Sequence, residues 1–321
     1  MAMSIAGIHH ITALAGDPQQ NVDFYTGFLG MRLVKQTVNF DAPDVYHLYY
    51  GDDIGRPGTV LTFFPFPDAS RGKRGTGETS AVAFSVPVGS FDFWIERLSR
   101  GGISFRGPAA RFEQQVISFE DPDGMVVELL EDGAADGGSV WTGGPVGASY
   151  AIRKFHGITL THGSAVPTSA FLTDALGFTA DGTEGGRRRF ASGTGVMKGM
   201  VDIVEDRAAL TARQSAGSVH HIAWRAKDDA EQLEWRETLR KAGAAPTPVA
   251  DRQYFRSIYF REPGGVLFEI ATDPPGFSID ETIDALGSRL QLPPWLEPDR
   301  SVIERHLPPL RVPAPSARES R

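Results

Sequence analysis

Gly7-Ile-His-His-Ile-Thr-Ala-Leu14, near the start of the chain, returns in its last third as Val219-His-His-Ile-Ala-Trp224. Each stretch has the apolar character of a strand, in which successive side chains fall on opposite faces. In the first, Ile8, His10 and Thr12 share one face, and His9, Ile11 and Ala13 share the other. In the second, His221 and Ala223 lie opposite His220, Ile222 and Trp224. The second histidine of each pair therefore occupies the same register.

Working outward, each stretch opens a longer repeat. The first copy begins with a strand from Ile5 to Leu14, then offers Asp17 as an N-cap and Pro18 at the first helical position. Val22, Phe24, Tyr25, Phe28 and Leu29 follow at helical spacing and stop at Gly30. Strands from Arg32 to Asn39, Tyr46 to Tyr50 and Val60 to Pro65 complete a βαβββ unit. The second copy starts near Ser80, with a helix from Phe91 to Arg100 and a final pair of strands from Val116 to Phe119 and Met125 to Leu130. The third opens with Phe155-His-Gly-Ile-Thr-Leu160, and its helix ends at Leu176-Gly-Phe178. The fourth has a helix from Ala230 to Ala242 and closes with strands from Ser257 to Phe260 and Val266 to Ala271.

Copies two and four share one turn, Asp121-Pro-Asp-Gly124 and Glu262-Pro-Gly-Gly265. Proline presets φ there and glycine takes a positive φ, so the chain reverses tightly. A glutamate follows at the matching place in each, Glu128 and Glu269. The expected class is α+β, with modules one and two in residues 1–135 and modules three and four in residues 150–275. The glycine-rich stretch 133–147 reads as the linker between them. Residues 276–321 form a helical, proline-rich arm, with Ser278 and Glu281 as a capping box for a helix through Leu290. Val312 to Arg321 reads as disordered.

Composition bounds the chemistry. A formal charge of -8 over 321 residues offers nothing to a phosphate backbone or an anionic membrane surface. No apolar run is long enough to span a bilayer, and Met1 to Ile8 lacks the features of a secretory signal. With no cysteine, any metal must be held by the eight histidines and the carboxylates. These features lead us to expect a cytoplasmic enzyme.

Glu269 stands among Val266, Leu267, Phe268 and Ile270, a costly place for a carboxylate unless it is paired or coordinates something. With His10 and His221 it makes two imidazoles and one carboxylate. That set, leaving open positions, suits non-haem Fe(II). The other two copies lack the histidines. Gly157 falls where His10 falls and Ala83 falls near the position of His221, although Glu128 matches Glu269. One metal per chain is expected, with Glu128 solvated or salt-bridged and the run Arg187 to Arg189 at a solvated edge. His47, in Tyr46-His-Leu-Tyr-Tyr50, is left open between the cavity and its wall.

The βαβββ copies, His9-His-Ile-Thr12 and Pro263-Gly-Gly-Val-Leu-Phe-Glu269 together resemble the vicinal oxygen chelate (glyoxalase/bleomycin resistance/extradiol dioxygenase) superfamily. Tyr46-His-Leu-Tyr-Tyr-Gly-Asp52, Leu292-Pro-Pro-Trp-Leu-Glu-Pro298 and Leu307-Pro-Pro-Leu310 are similar to its hydroquinone-type ring-cleaving dioxygenases. The resemblance spans nearly the whole chain. It implies two pseudo-symmetric domains, each a curled mixed sheet around a cleft. It further implies Fe(II) or Mn(II), O2 as co-substrate, and a small aromatic para-diol whose ring is cleaved. The implied ligands are His10, His221 and Glu269. His9, Thr12, His220, Arg252 and Tyr259 match catalytic positions around substrate and oxygen. A homo-oligomer fits the resemblance, although two pairs of modules in one chain can complete the site without a partner.

Other readings share the fold. A catechol extradiol dioxygenase has the same triad, usually within one adjacent pair of copies. A glyoxalase-type isomerase usually adds a fourth ligand from the partner module, but Val60-Leu-Thr-Phe-Phe64 carries neither carboxylate nor histidine. A metal-free small-molecule-binding protein would use the same His-His strands as pocket wall.

Overall fold

The structure, a computed structural model, describes residues 3–133, 139–193 and 198–313. Its sixteen strands form two mixed, curled sheets of eight strands each. The first sheet runs, edge to edge, Ala250–Asp251, Arg256–Arg261, Leu267–Thr272, Val219–Ala226, Ile8–Ala15, Val60–Pro65, Ala42–Gly51 and Arg32–Asn39. The second runs Thr179–Glu184, Arg187–Ser192, Gly199–Glu205, Lys154–His162, Glu78–Val86, Val126–Glu131, Gln114–Glu120 and Phe105–Arg111.

Each sheet thus joins modules from opposite halves of the chain: one with four, and two with three. The expected grouping of modules by their order along the chain is corrected here. The opening strands decide it, because Ile8–Ala15 pairs antiparallel with Val219–Ala226, and Glu78–Val86 with Lys154–His162. Sequence neighbours meet in another way. In the turn of module two, the Asp121 carboxylate accepts from the backbone of Asp123 and Met125 and from the Tyr25 hydroxyl of module one. Glu262 does the same for Gly264, Val266 and Thr168 of module three. Gly124 and Gly265 take the positive φ that the turns require, 93° and 100°. Replacing Asp121 with alanine would strand two backbone donors and a buried hydroxyl. The expected cost is about 2–4 kcal/mol in denaturant unfolding, and a loss below about 0.5 kcal/mol would show the turn to be held by other means.

Asp17 caps the first helix by accepting from Gln20, as expected, with Pro18 at its first position. The helix then widens into a π-helical segment, Asp23–Phe28, that the spacing did not disclose. The arm also departs from expectation. Two short 3-10 turns, Phe277–Ile279 and Ile283–Ala285, replace a continuous helix to Leu290. Glu281 is not free to cap, because its carboxylate accepts from Lys35 and from the backbone of Gly287. A helix does form later, at Arg300–His306. The expected disorder falls mainly on residues 314–321, outside the described residues, whereas Val312 and Pro313 are described. Among the described residues, no helix is long and apolar enough to cross a membrane. One buried apolar cluster, including Trp94, Trp224, Trp235 and Phe84, runs through both sheets and holds them together.

Candidate metal centre

Four adjacent strands of the first sheet carry the site: Ile8–Ala15, Val219–Ala226, Leu267–Thr272 and Arg256–Arg261. Across them His10 lies opposite Ala223, Ala223 opposite Glu269, and Glu269 opposite Tyr259, with His221 two residues before Ala223 on the same face. The row therefore places His10 and Glu269 on either side of an alanine. A larger side chain at Ala223 would fill the space where the three polar groups meet. Ala223 is the residue whose importance the sequence did not signal, because a lone alanine in an apolar strand looks like core.

The convergence is close. Nε2 of His221 lies 2.9 Å from Glu269 Oε2 and 3.3 Å from Nε2 of His10, and His10 Nε2 lies 3.5 Å from the same oxygen. Three mutually cis ligands at bond lengths of about 2.1 Å lie about 3 Å apart, so the spacing suits one small divalent ion. Among the described residues this is the one trio of His, Cys, Asp or Glu whose ligand atoms approach so closely. The inner nitrogens of both imidazoles are spoken for: Nδ1 of His10 bonds Nδ1 of His9 at 2.9 Å, and Nδ1 of His221 bonds Nδ1 of His220 at 2.8 Å. Glu269 Oε1 accepts from the Ser257 hydroxyl, while Oε2 is buried without a hydrogen-bond donor. A buried carboxylate oxygen left facing two imidazole nitrogens is what a cation site requires.

The electrostatics agree. Burial alone would raise the Glu269 carboxyl, but the two imidazoles outweigh it and hold the group well below the usual carboxylate range. Burial lowers His221 against the pull of Glu269, and it lowers His220, with help from His221, to about 4. The imidazole nitrogens of these residues are therefore unprotonated bases or neutral donors near pH 7, as metal ligation needs.

A cavity of about 360 Å³ opens beside the trio, at the small end of ligand sites. His10, His220, His221, Arg252 and Tyr259 line it. His9 and Thr12 do not. His9 lies behind His10 with its ring against Phe255, and Thr12 bonds Thr62 in the wall. His47 does face the cavity, between Tyr49 and Phe64. Both of its nitrogens are engaged, with Thr62 at 2.9 Å and the Tyr49 hydroxyl at 2.8 Å, so it braces the wall. Thr12 reaches the cavity only through Thr62 and His47. Arg252 donates from Nε to the Tyr259 hydroxyl at 3.2 Å.

The second sheet shows what the same plan becomes without histidines. Gly157 stands at the place of His10, and a side-chain carbon there would lie 2.3 Å from the Met200 carbonyl oxygen. The register sets Ala83 opposite Glu128, as Ala223 is opposite Glu269, so Ala81 and not Ala83 is the counterpart of His221. Arg111 grips Glu128 with two bonds of 2.6 and 2.8 Å. Arg187 to Arg189 do not form a solvated edge. Strand alternation turns Arg187 and Arg189 inward, where Arg189 is buried against both oxygens of Asp202.

Comparison with known proteins agrees with this plan. The family model described as glyoxalase/bleomycin resistance protein/dioxygenase superfamily matches residues 7–129 and 154–270. MhqO of Bacillus subtilis (strain 168), provisionally named a ring-cleaving dioxygenase, is 45% identical over 97% of this chain and 99% of its own length. The chlorohydroquinone/hydroquinone 1,2-dioxygenase of Sphingobium indicum is 37% identical over 91% of this chain and 93% of its own. A crystal structure of a provisionally named dioxygenase from Bacillus subtilis superposes with a TM-score of 0.93, at 44% identity over 97% of this chain and 99% of that one. Glyoxalase I of maize, at 14% identity and a TM-score of 0.61 over 83% of this chain and 92% of that one, shares the fold. With its four βαβββ modules, the chain belongs to the glyoxalase/bleomycin resistance protein/dioxygenase superfamily.

Proposed function

We propose that the protein is an Fe(II)-dependent ring-cleaving dioxygenase that inserts O2 into a hydroquinone-type ring. The observation that carries this reading is Glu269 Oε2, buried without a hydrogen-bond donor and facing the Nε2 atoms of two histidines that line a small cavity. The names of the relatives support the same chemistry. His10, His221 and Glu269 would hold the ion. Bound there, Fe(II) or Mn(II) would supply Lewis acidity and open coordination positions for a ring oxygen and O2.

The chain's own groups bind and orient the ring. Burial raises the Tyr259 phenol, with Glu269 adding to the shift, so this hydroxyl keeps its proton at neutral pH. Because Arg252 donates to its oxygen, the Tyr259 proton is free to point toward a ring oxygen. The pair thereby stabilises negative charge that develops on the ring hydroxyl. With an ion on Nε2 of His221, its Nδ1 would donate to Nδ1 of His220, which would leave the His220 proton at Nε2 as a second donor. His9 fixes the orientation of His10 from behind. Phe64, Phe255 and Leu267 supply apolar wall for the ring.

Tyr259→Phe is expected to lower kcat/KM for hydroquinone about 10- to 100-fold at unchanged metal content. Unaltered kinetics would remove Tyr259 from the binding of the ring oxygen. The reading itself is tested by oxygen uptake with hydroquinone, chlorohydroquinone, methylhydroquinone and catechol, alongside metal analysis. We expect one metal per chain and turnover of the para-diols. Faster turnover of catechol than of every para-diol would overturn the substrate class. Protein that stays metal-free after growth with ample iron, and is inert to all four rings, would overturn the enzyme.

A further inference from the structure

The charges at the cavity mouth bear on which para-diols it admits, an inference that rests on the function proposed above. Among the described residues that line the cavity, Arg252 is the one guanidinium and Asp41 the one carboxylate. They face each other across the opening, with Arg252 Nη1 3.0 Å from Asp41 Oδ2. Asp41 comes from module one and Arg252 from module four, so the ion pair spans the mouth from one module to the other.

Both backbones are built into the fold, while the Asp41 side chain itself is 74% exposed. Asp41 sits in the two-residue turn between Arg32–Asn39 and Ala42–Gly51, and its backbone N–H donates to the Asn39 side chain at 3.0 Å. Phe40 in the same turn meets Trp295 of the arm edge-on, with ring centroids 5.6 Å apart. On the far side, the Arg252 backbone donates to Phe255 and is followed by Gln253 in the left-handed region, at φ 66°. Tyr254 anchors that loop by donating its hydroxyl to Asp280 of the arm. The two backbones are therefore set at this separation by contacts independent of the ion pair.

We propose that Asp41 makes the cavity selective for charge: by neutralising Arg252 it admits para-diols without a ring carboxylate and turns away those that bear one. A carboxylate entering beside Arg252 must either stand next to Asp41 or displace it from a charge-assisted hydrogen bond. A ring carrying hydrogen, halogen or methyl at that place meets a neutral pair and loses nothing.

The test compares hydroquinone with 2,5-dihydroxybenzoate on the metal-loaded protein, by kcat/KM and by equilibrium binding without oxygen. Wild type is expected to favour hydroquinone by about tenfold in both measurements at low ionic strength, and by less as salt screens the exposed Asp41 carboxylate. Asp41→Asn is expected to narrow that ratio about three- to fivefold, by tightening the carboxylated ring. Asp44→Asn, the loss of an exposed charge three residues away, is expected to leave the ratio unchanged. The proposal is overturned if wild type binds both rings equally, or if Asp41→Asn and Asp44→Asn behave alike. Binding that discriminates without turnover of either ring would sink the oxygenase reading and leave the charge selectivity standing.

Discussion

Protein in which His221 is replaced by alanine is expected to purify with less than a tenth of the iron or manganese of wild type and to consume no oxygen with hydroquinone. The three basic atoms lie 2.9 to 3.5 Å apart, and His221 Nε2 is the one nearest to Glu269 Oε2. Its removal leaves one imidazole and one carboxylate, too few to hold an ion against water. Losing a partner behind a ligand typically weakens metal binding about 10- to 100-fold, so losing the ligand itself should cost more. His220→Ala supplies the graded comparison, because at the ion it removes no ligand but only the Nδ1 partner of His221. Its metal affinity should fall by about 10- to 100-fold, short of complete loss. Metal at one equivalent per chain in the His221→Ala protein would show that the ion sits elsewhere, and the proposed function would fall with it.

The largest effect on stability is expected at Lys35. Its Nζ lies 2.5 Å from Asp280 and 2.5 Å from Glu281, and the side chains of Lys35 and Glu281 are fully buried. Asp280 also accepts from the Tyr254 hydroxyl, and Phe277 packs on Tyr254 and Tyr49. Lys35→Ala would leave a buried carboxylate without its cation, at an expected cost of about 3–5 kcal/mol in denaturant unfolding. Lys35→Met combined with Glu281→Leu removes both charges together and should recover much of that loss. The same cluster fixes the loop that carries Arg252 and Phe255. The Lys35→Ala protein should therefore also bind hydroquinone more weakly at temperatures where it remains folded. A single substitution costing under about 1 kcal/mol would mean that water or a rearranged arm solvates Glu281.

Much of this site can be read from local pattern. Strand alternation sets His10, His221 and Glu269 each on one face of its strand, and the repeated His-His places two of them in the same register. The turns ending modules two and four announce themselves through proline and glycine. Other residues carry no such mark. His47 has the same alternation whether it lines a cavity or a wall, and Asp41 looks like an ordinary turn residue. The inward turn of Arg187 and Arg189 depends on the face that Thr159 and Asp202 present to them.

By itself, then, the amino-acid sequence determined the four-module repeat, the trio of two imidazoles and one carboxylate, and the absence of counterparts to the two histidines from modules two and three. Only the tertiary structure decided that module one pairs with module four, which brings His10 beside His221 and sets Asp41 against Arg252. The difference is physical. Periodicity and turn chemistry act over a few residues and leave their trace in composition. Which edge strands join is settled by contacts between segments more than 200 residues apart, where many apolar strands would pair equally well until the whole core is closed.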